Sequence, residues 1–266
     1  MTSRYDSSSV DNFIELALSE IESTYGTKVR TNRKTLLKFG RNNNVGTAIT
    51  AINYNNIVPF QPDTNSITTI NSTSASDVGK AVTLDTMVTD GNGDFIFTFQ
   101  TVTLNGTTAV TLPSACSRVS RIKRAEGSDI VGDVYAHTGG ATTGGVPNDL
   151  GTVGNVLSAV EQTTLYAGTS VASTNYLILT SYFASLVSGN NQGTEANIRL
   201  EIRGKNSNVY RTIELATAQS DNGKAGSYLI PYQIIPPNHD VRVTAEGATT
   251  GLDIVATFQG FFADIY

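Results

Sequence analysis

Tryptophan is absent from this chain, histidine and methionine occur twice each, and there is a single cysteine, Cys116. One cysteine excludes a disulfide within the chain. His137 and His239 stand far apart, which leaves little material for a metal centre or a nucleophile–base pair. Charge is scarce as well, at 15% of 266 residues against about 25% in an ordinary globular chain. No apolar run approaches the ~18 residues that cross a bilayer, and the opening MTSRYDSSSVDNF has no apolar core of a secretory signal. These absences point away from an enzyme, a cofactor or metal protein and a membrane protein. They point toward a chain that folds in the cytoplasm where it is made.

Ser, Thr, Asn and Gly take the place of the missing charge, a mix suited to many short strands joined by turns. The 266 residues leave room for one large β domain or two small ones. In DGNGDFIFTFQTVTLNGTTAVTLP (Asp90 to Pro113), Asn105-Gly106 favours a two-residue type I′ turn and predicts a β-hairpin. Its register sets Val102 opposite Ala109 and Phe99 opposite Leu112, so that Phe95, Phe97, Phe99, Val110 and Leu112 share a buried face. Asp90, Asn92 and Asp94 alternate as in the first half of a calcium loop. However, Phe95 stands where that loop needs glycine and no bidentate Glu follows, so an ordinary turn explains the same residues. Cys116, just after a strand, reads as a small buried apolar residue; a nucleophile there would have no His or Asn constellation beside it in the sequence.

Two N-terminal features stand apart from the β pattern. Phe13, Ala17 and Ile21, with Ile14 and Leu18 beside them, form one apolar face of a predicted helix over Asp11 to Thr24 that closes at Gly26. That face must dock either on its own β domain or on another subunit. Lys28, Arg30, Arg33, Lys34, Lys38 and Arg41 then follow with no acid among them, in a chain of net charge −5. With one aromatic and no recognisable nucleic-acid motif, this basic arm reads as a solvated or protein-docking face, anchored by Leu36, Leu37 and Phe39, and nucleic acid is not expected as a partner. The candidate partner-binding residues are therefore Phe13, Ile14, Leu18, Ile21, Lys28, Arg30, Arg33, Lys34, Leu37, Lys38, Phe39 and Arg41. On this reading, a chain beginning at Gly46 keeps its fold and loses its attachment.

Alternation is cleanest near the C-terminus. Ile198, Leu200 and Ile202, then Val241, Val243 and Ala245, then Leu252, Ile254, Ala256 and Phe258 each take every second position. The fold class expected is mainly β: an antiparallel, jelly-roll-like β-sandwich over residues 115–266, a smaller β region with the hairpin over 46–114, and the helix and extended arm over 1–45. Ile198, Leu200, Ile202, Val243, Ile254 and Phe258 are expected inside the sandwich. Gly139 to Gly151 has no phosphate-loop spacing, and it and Ser188 to Thr194 are expected to be mobile or contact tips. Tyr54, Tyr135, Tyr166, Tyr176, Tyr182, Tyr210, Tyr228 and Tyr232 keep open a second function, sugar stacking by a carbohydrate-binding sandwich, although the missing Trp counts against it.

Three stretches, LLKFGRNNNVGT (Leu36 to Thr47), the block from Thr69 to Asp149, and IIPPNHDVRVTAEGATTGLDIVATFQGFF (Ile234 to Phe262), resemble virion structural proteins of tailed, marine-type bacteriophages. The shared features belong to strands and turns and carry no catalytic residue. The resemblance implies a non-enzymatic, β-rich virion component, a capsid decoration or fibre-like protein on the head, neck or tail. Its implied partners are other virion proteins and further copies of itself.

Overall fold

The computed structural model describes residues 7–188, 194–219 and 224–266, with side chains described except at positions 7–13, 31–34, 188 and 224–231. Helix α1 (Ser7–Tyr25) is the amphipathic stretch, ending where Gly26 takes a φ of +65° and donates its N–H to the Glu22 carbonyl. Strands β1 (Val29–Val45) and β2 (Thr50–Ala51) follow. The chain then builds β3 (Ile67–Ser72), β4 (Ala81–Thr89), β5 (Phe95–Thr103), β6 (Val110–Cys116), β7 (Arg118–Arg124), β8 (Val134–His137), β9 (Thr142–Thr143), β10 (Val146–Pro147) and β11 (Val153–Leu157). It returns through β12 (Gly168–Ser170), β13 (Asn175–Ser188), β14 (Glu195–Gly204), β15 (Arg211–Gln219), β16 (Lys224–Ile235), β17 (His239–Gly247) and β18 (Leu252–Ile265).

The first two strands and the last six make the sandwich, and β12 adds a short ninth strand. One antiparallel sheet runs β1-β18-β13-β16; the other runs β17-β14-β15, with β2 and β12 both pairing with β17. Counted along these eight strands, the orders are 1-8-3-6 and 2-7-4-5, the connectivity of a jelly roll made of two Greek keys. Alternation produces the core. Ile198, Leu200 and Ile202 stand opposite Ala245, Val243 and Val241, and they meet Ile254, Ala256 and Phe258 of the facing sheet in one buried cluster. The sandwich and its predicted interior residues are therefore as expected.

The predicted boundaries need correction. Residues between β2 and β12 form an insert with its own core, so the sandwich begins at β1 and is interrupted, instead of starting near residue 115. The insert packs a β11-β8-β3-β6 sheet against a β5-β4-β7 sheet around Ile70, Leu84, Val102, Leu104, Leu112 and Ile122. Cys116 belongs to this core, and burial pushes its thiol up to about 12, which suits a packing role.

The predicted hairpin also resolves differently. The chain does turn at Asn105–Thr108, with Gly106 at φ +60°, but β5 pairs with β4 and β6 pairs with β3. The turn carries the chain between sheets. Phe97 stands opposite Met87 and Phe99 opposite Asp85, and the side bearing Phe97 and Phe99 points outward while Gln100, Val102 and Leu104 point in. Phe95 and Leu112 are buried as predicted.

Nor is the basic segment an extended arm. It is β1, paired with β18 from Val29 to Val45, and Gly40 is there because Ala167 and the Ile52 carbonyl leave no room for a Cβ. Helix α1 docks on the outer face of the same sheet, with Ala17 and Ile21 buried among Val29, Tyr176, Ile178, Phe261 and Ala263. The segment Gly139 to Gly151 is seated too, since Asn71 Nδ2 donates to the Gly145 carbonyl at 2.5 Å. Most of Ser188 to Thr194 lies outside the described residues. Among the described residues, no helix is long and apolar enough to cross a membrane.

Truncating Leu200 to Ala should cost about 2–5 kcal/mol in urea denaturation, the transfer term plus a cavity. A chain starting at Gly46 lacks a sheet member, and it should show no cooperative thermal transition by circular dichroism.

Candidate functional site: the joint and cleft between the β units

The insert is held to the sandwich by charge taken out of water. Arg118 of β7, 1% exposed, donates from Nε and Nη2 to the two oxygens of Asp240 on β17, at 2.9 and 3.0 Å. Arg203 donates to Asp240 Oδ2 at 2.6 Å and the Ser170 hydroxyl to Oδ1 at 2.5 Å, while Asp63 accepts from Arg118 at 3.2 Å. Arg118 also donates to the Pro62 carbonyl, and its guanidinium lies 4.6 Å from the Phe95 ring centroid. Burial alone would raise the Asp240 carboxyl; Arg118 and Arg203, by charge and hydrogen bonding, overcome it and hold that carboxyl below its ordinary value. Tyr210 caps the cluster, 3.6 Å from Arg242 and 4.9 Å from Arg203, centroid to guanidinium.

Beside this joint lies a cleft of about 870 Å³ between β1 and β18 on one side and the β5-β4-β7 sheet on the other. Leu37, Met87, Phe97 and Phe262 supply apolar wall; Arg30, Lys38, Asp85, Ser120, Arg121 and Asp264 supply polar groups. Lys38 is buried and its Nζ donates to the Ser120 carbonyl at 2.8 Å. Burial, then the nearby Arg121, pushes its amine down to about 7, against the opposing pull of Asp85. Asp85 itself is paired with Arg121 at 2.7 Å.

The predicted partner-binding set is thus divided. Arg30, Leu37 and Lys38 meet at the cleft, although Lys38 is buried instead of presented to solvent. Leu37 and Phe39 remain 69% and 48% exposed, and Lys28 is exposed. Ile14, Leu18 and Ile21 are used up in docking α1 on its own sheet, and Arg41 is paired with Asp253 at 2.7 Å. The side chains of Phe13, Arg33 and Lys34 lie outside the described residues.

Other candidates take structural places. Asp90 Oδ1 accepts from the Asn92 and Asp94 N–H groups, and Asp94 is bound by Lys205 and Asn238, which makes this stretch a turn tied to the sandwich. His137 is buried against Thr69 and Asn71, and His239 Nδ1 donates to the Pro237 carbonyl within its turn. Tyr135, Tyr166, Tyr176, Tyr182 and Tyr232 are buried, so no stacking platform for sugars forms from them; the side chain of Tyr228 lies outside the described residues. Sequence reasoning missed Arg118, Asp240 and Ser120. The signal present was an arginine and an aspartate, each at a position whose strand neighbours point to a core.

No family model and no curated protein matches the chain. Among solved structures, murine APRIL at pH 5.0 is 8% identical with a TM-score of 0.23, over 67% of this chain and 97% of that one. The infectious bursal disease virus Gx strain structure is 12% identical with a TM-score of 0.16, over 89% of this chain and 81% of that one. The fold assignment rests on strand order and not on these likenesses.

Removing one partner of the joint leaves the others buried and unpaired, so Asp240→Ala should cost about 3–5 kcal/mol by urea denaturation. The Asp240 carboxyl is depressed by folding, so its contribution is present above the unfolded value of about 4 and lost as pH falls through the folded one. Denaturation followed from pH 6 to pH 2 should show that loss in the natural chain and a flatter profile in the variant.

Proposed function

We propose that this protein is a non-enzymatic structural subunit of a bacteriophage virion, set on the head as a decoration protein and joined to its neighbours through β surfaces. The observation that carries this reading is the outward face of the β5-β4-β7 sheet, where Phe97 and Phe99 stand 53% and 57% exposed on paired, rigid backbone. Phe97 and the exposed Leu37 meet at the cleft, so the apolar surface continues onto β1. Aromatic side chains fixed on a sheet offer contact area at little cost in side-chain entropy, the composition of an association surface. The jelly-roll scaffold and the strand-and-turn resemblance to tailed-phage virion proteins agree with this role, though a fold by itself assigns no function. Further copies of the chain and capsid subunits are the partners this reading calls for, with the assembled virion as its location.

The test is a Phe97→Ser, Phe99→Ser double variant supplied to assembling particles. Both side chains are largely exposed, so the melting temperature should stay near that of the natural chain while incorporation into particles drops at least ten-fold. Incorporation at the natural level would overturn this assignment of the surface.

A further inference from the structure

Strand β1 is the outermost strand of its sheet, and only part of its free edge is covered. Its register with β18 is regular from Thr35 to Asn42. Within that run the Arg41 N–H points away from β18, since it donates to the Leu165 carbonyl at 3.2 Å. The two-residue alternation of an antiparallel ladder then turns the N–H and C=O groups of Leu37 and Phe39 the same way. Among the described residues no backbone or side-chain group pairs with them. The cover supplied by residues 165–167 ends near Gly40, and Thr35 to Lys38 line the cleft.

The chemistry beside this bare edge is selective. Ser120 lines the cleft and is only 7% exposed, and among the described residues its buried hydroxyl has no hydrogen-bond partner. Lys38 Nζ bonds to the carbonyl of that same residue, and no carboxylate among the described residues pairs with Lys38. Arg121 and Asp85 neutralise each other. A buried amine on the Ser120 carbonyl and the unsatisfied hydroxyl of the same residue offer two donors to a carboxylate, and Met87 and Phe97 line the same cleft.

We propose that the cleft receives an extended acidic peptide segment of a partner protein, which adds to the free edge of β1 as a further strand and places a Glu or Asp side chain on Lys38 and Ser120. Main-chain bonds to Leu37 and Phe39 supply affinity, and the buried carboxylate seat supplies specificity. The binding itself does not depend on the virion reading above; only the identity of the partner as another virion protein does.

The test uses the full chain and a dye-labelled eight-residue peptide of alternating valine and glutamate, with alternating valine and lysine as control. The acidic peptide should bind and the basic one should not. Lys38→Met should weaken binding at least ten-fold. Leu37→Pro, which removes an outward N–H without touching the ladder to β18, should weaken it comparably. Hydrogen exchange on the natural chain should show Leu37 and Phe39 amides protected on binding, a readout that stands even where the proline variant unfolds. Affinity should fall as pH rises from 6 to 9, because Lys38 loses its proton in that range while the peptide stays ionised; the other charged groups around the cleft are Arg30, Asp85, Arg121 and Asp264. Lys38→Arg should bind with a flat profile over the same range. Absence of binding, equal binding of both peptides, or binding without amide protection would each overturn the proposal. Phe97 belongs to both surfaces, so Phe99→Ser alone, at a residue outside the cleft lining, tests the virion reading separately by incorporation into particles.

Discussion

The seating of the insert on the sandwich depends on one buried charge cluster, the bidentate contact of Arg118 with Asp240 reinforced by Arg203, Ser170 and Asp63. Two carboxylates face two guanidiniums there, so the charges balance, and the low dielectric that makes each alone expensive makes their mutual contacts strong. Such a cluster is a demanding joint. Any displacement of β7 from β17 would strand a charge away from water, so the insert has one seat on the sandwich and not a range of them.

That single seat has consequences on both sides. In the insert, it fixes Phe95 under the Arg118 guanidinium and so sets the level from which β5 rises, with Phe97 and Phe99 facing outward. In the sandwich, it holds the β5-β4-β7 sheet across from β1, close enough for Lys38 to reach the Ser120 carbonyl yet far enough to leave the cleft. The proposed docking surface is therefore a product of domain placement. Neither unit alone contains it.

The N-terminal features show how a sensible reading of local pattern meets tertiary competition. A run of cations with no acid reads as a solvated arm, but Leu36, Lys38, Gly40 and Asn42 alternate inward along β1, and pairing with β18 satisfies a full row of backbone groups. The amphipathic helix had two admissible partners. The outer face of the sheet, with Tyr176, Ile178 and Phe261, supplied an apolar surface within the same chain.

The sequence alone specifies the β-sandwich, its interior residues and the helix, because period-two and period-3.6 apolar patterns state which face must leave water. Leu200, Val243 and Phe258 were legible for that reason. It could not show that Asn105-Gly106 joins two sheets instead of closing a hairpin, since a turn specifies its own geometry but not the strand that lies beside each arm. It could not show that Arg118 and Asp240, 122 positions apart, would be paired in the dark. Lys38 was singled out for its charge, yet its burial against Ser120 arises from a strand 82 positions away. Charge pairing and strand partnership are decided by which surfaces come together in space, and that choice belongs to the tertiary structure.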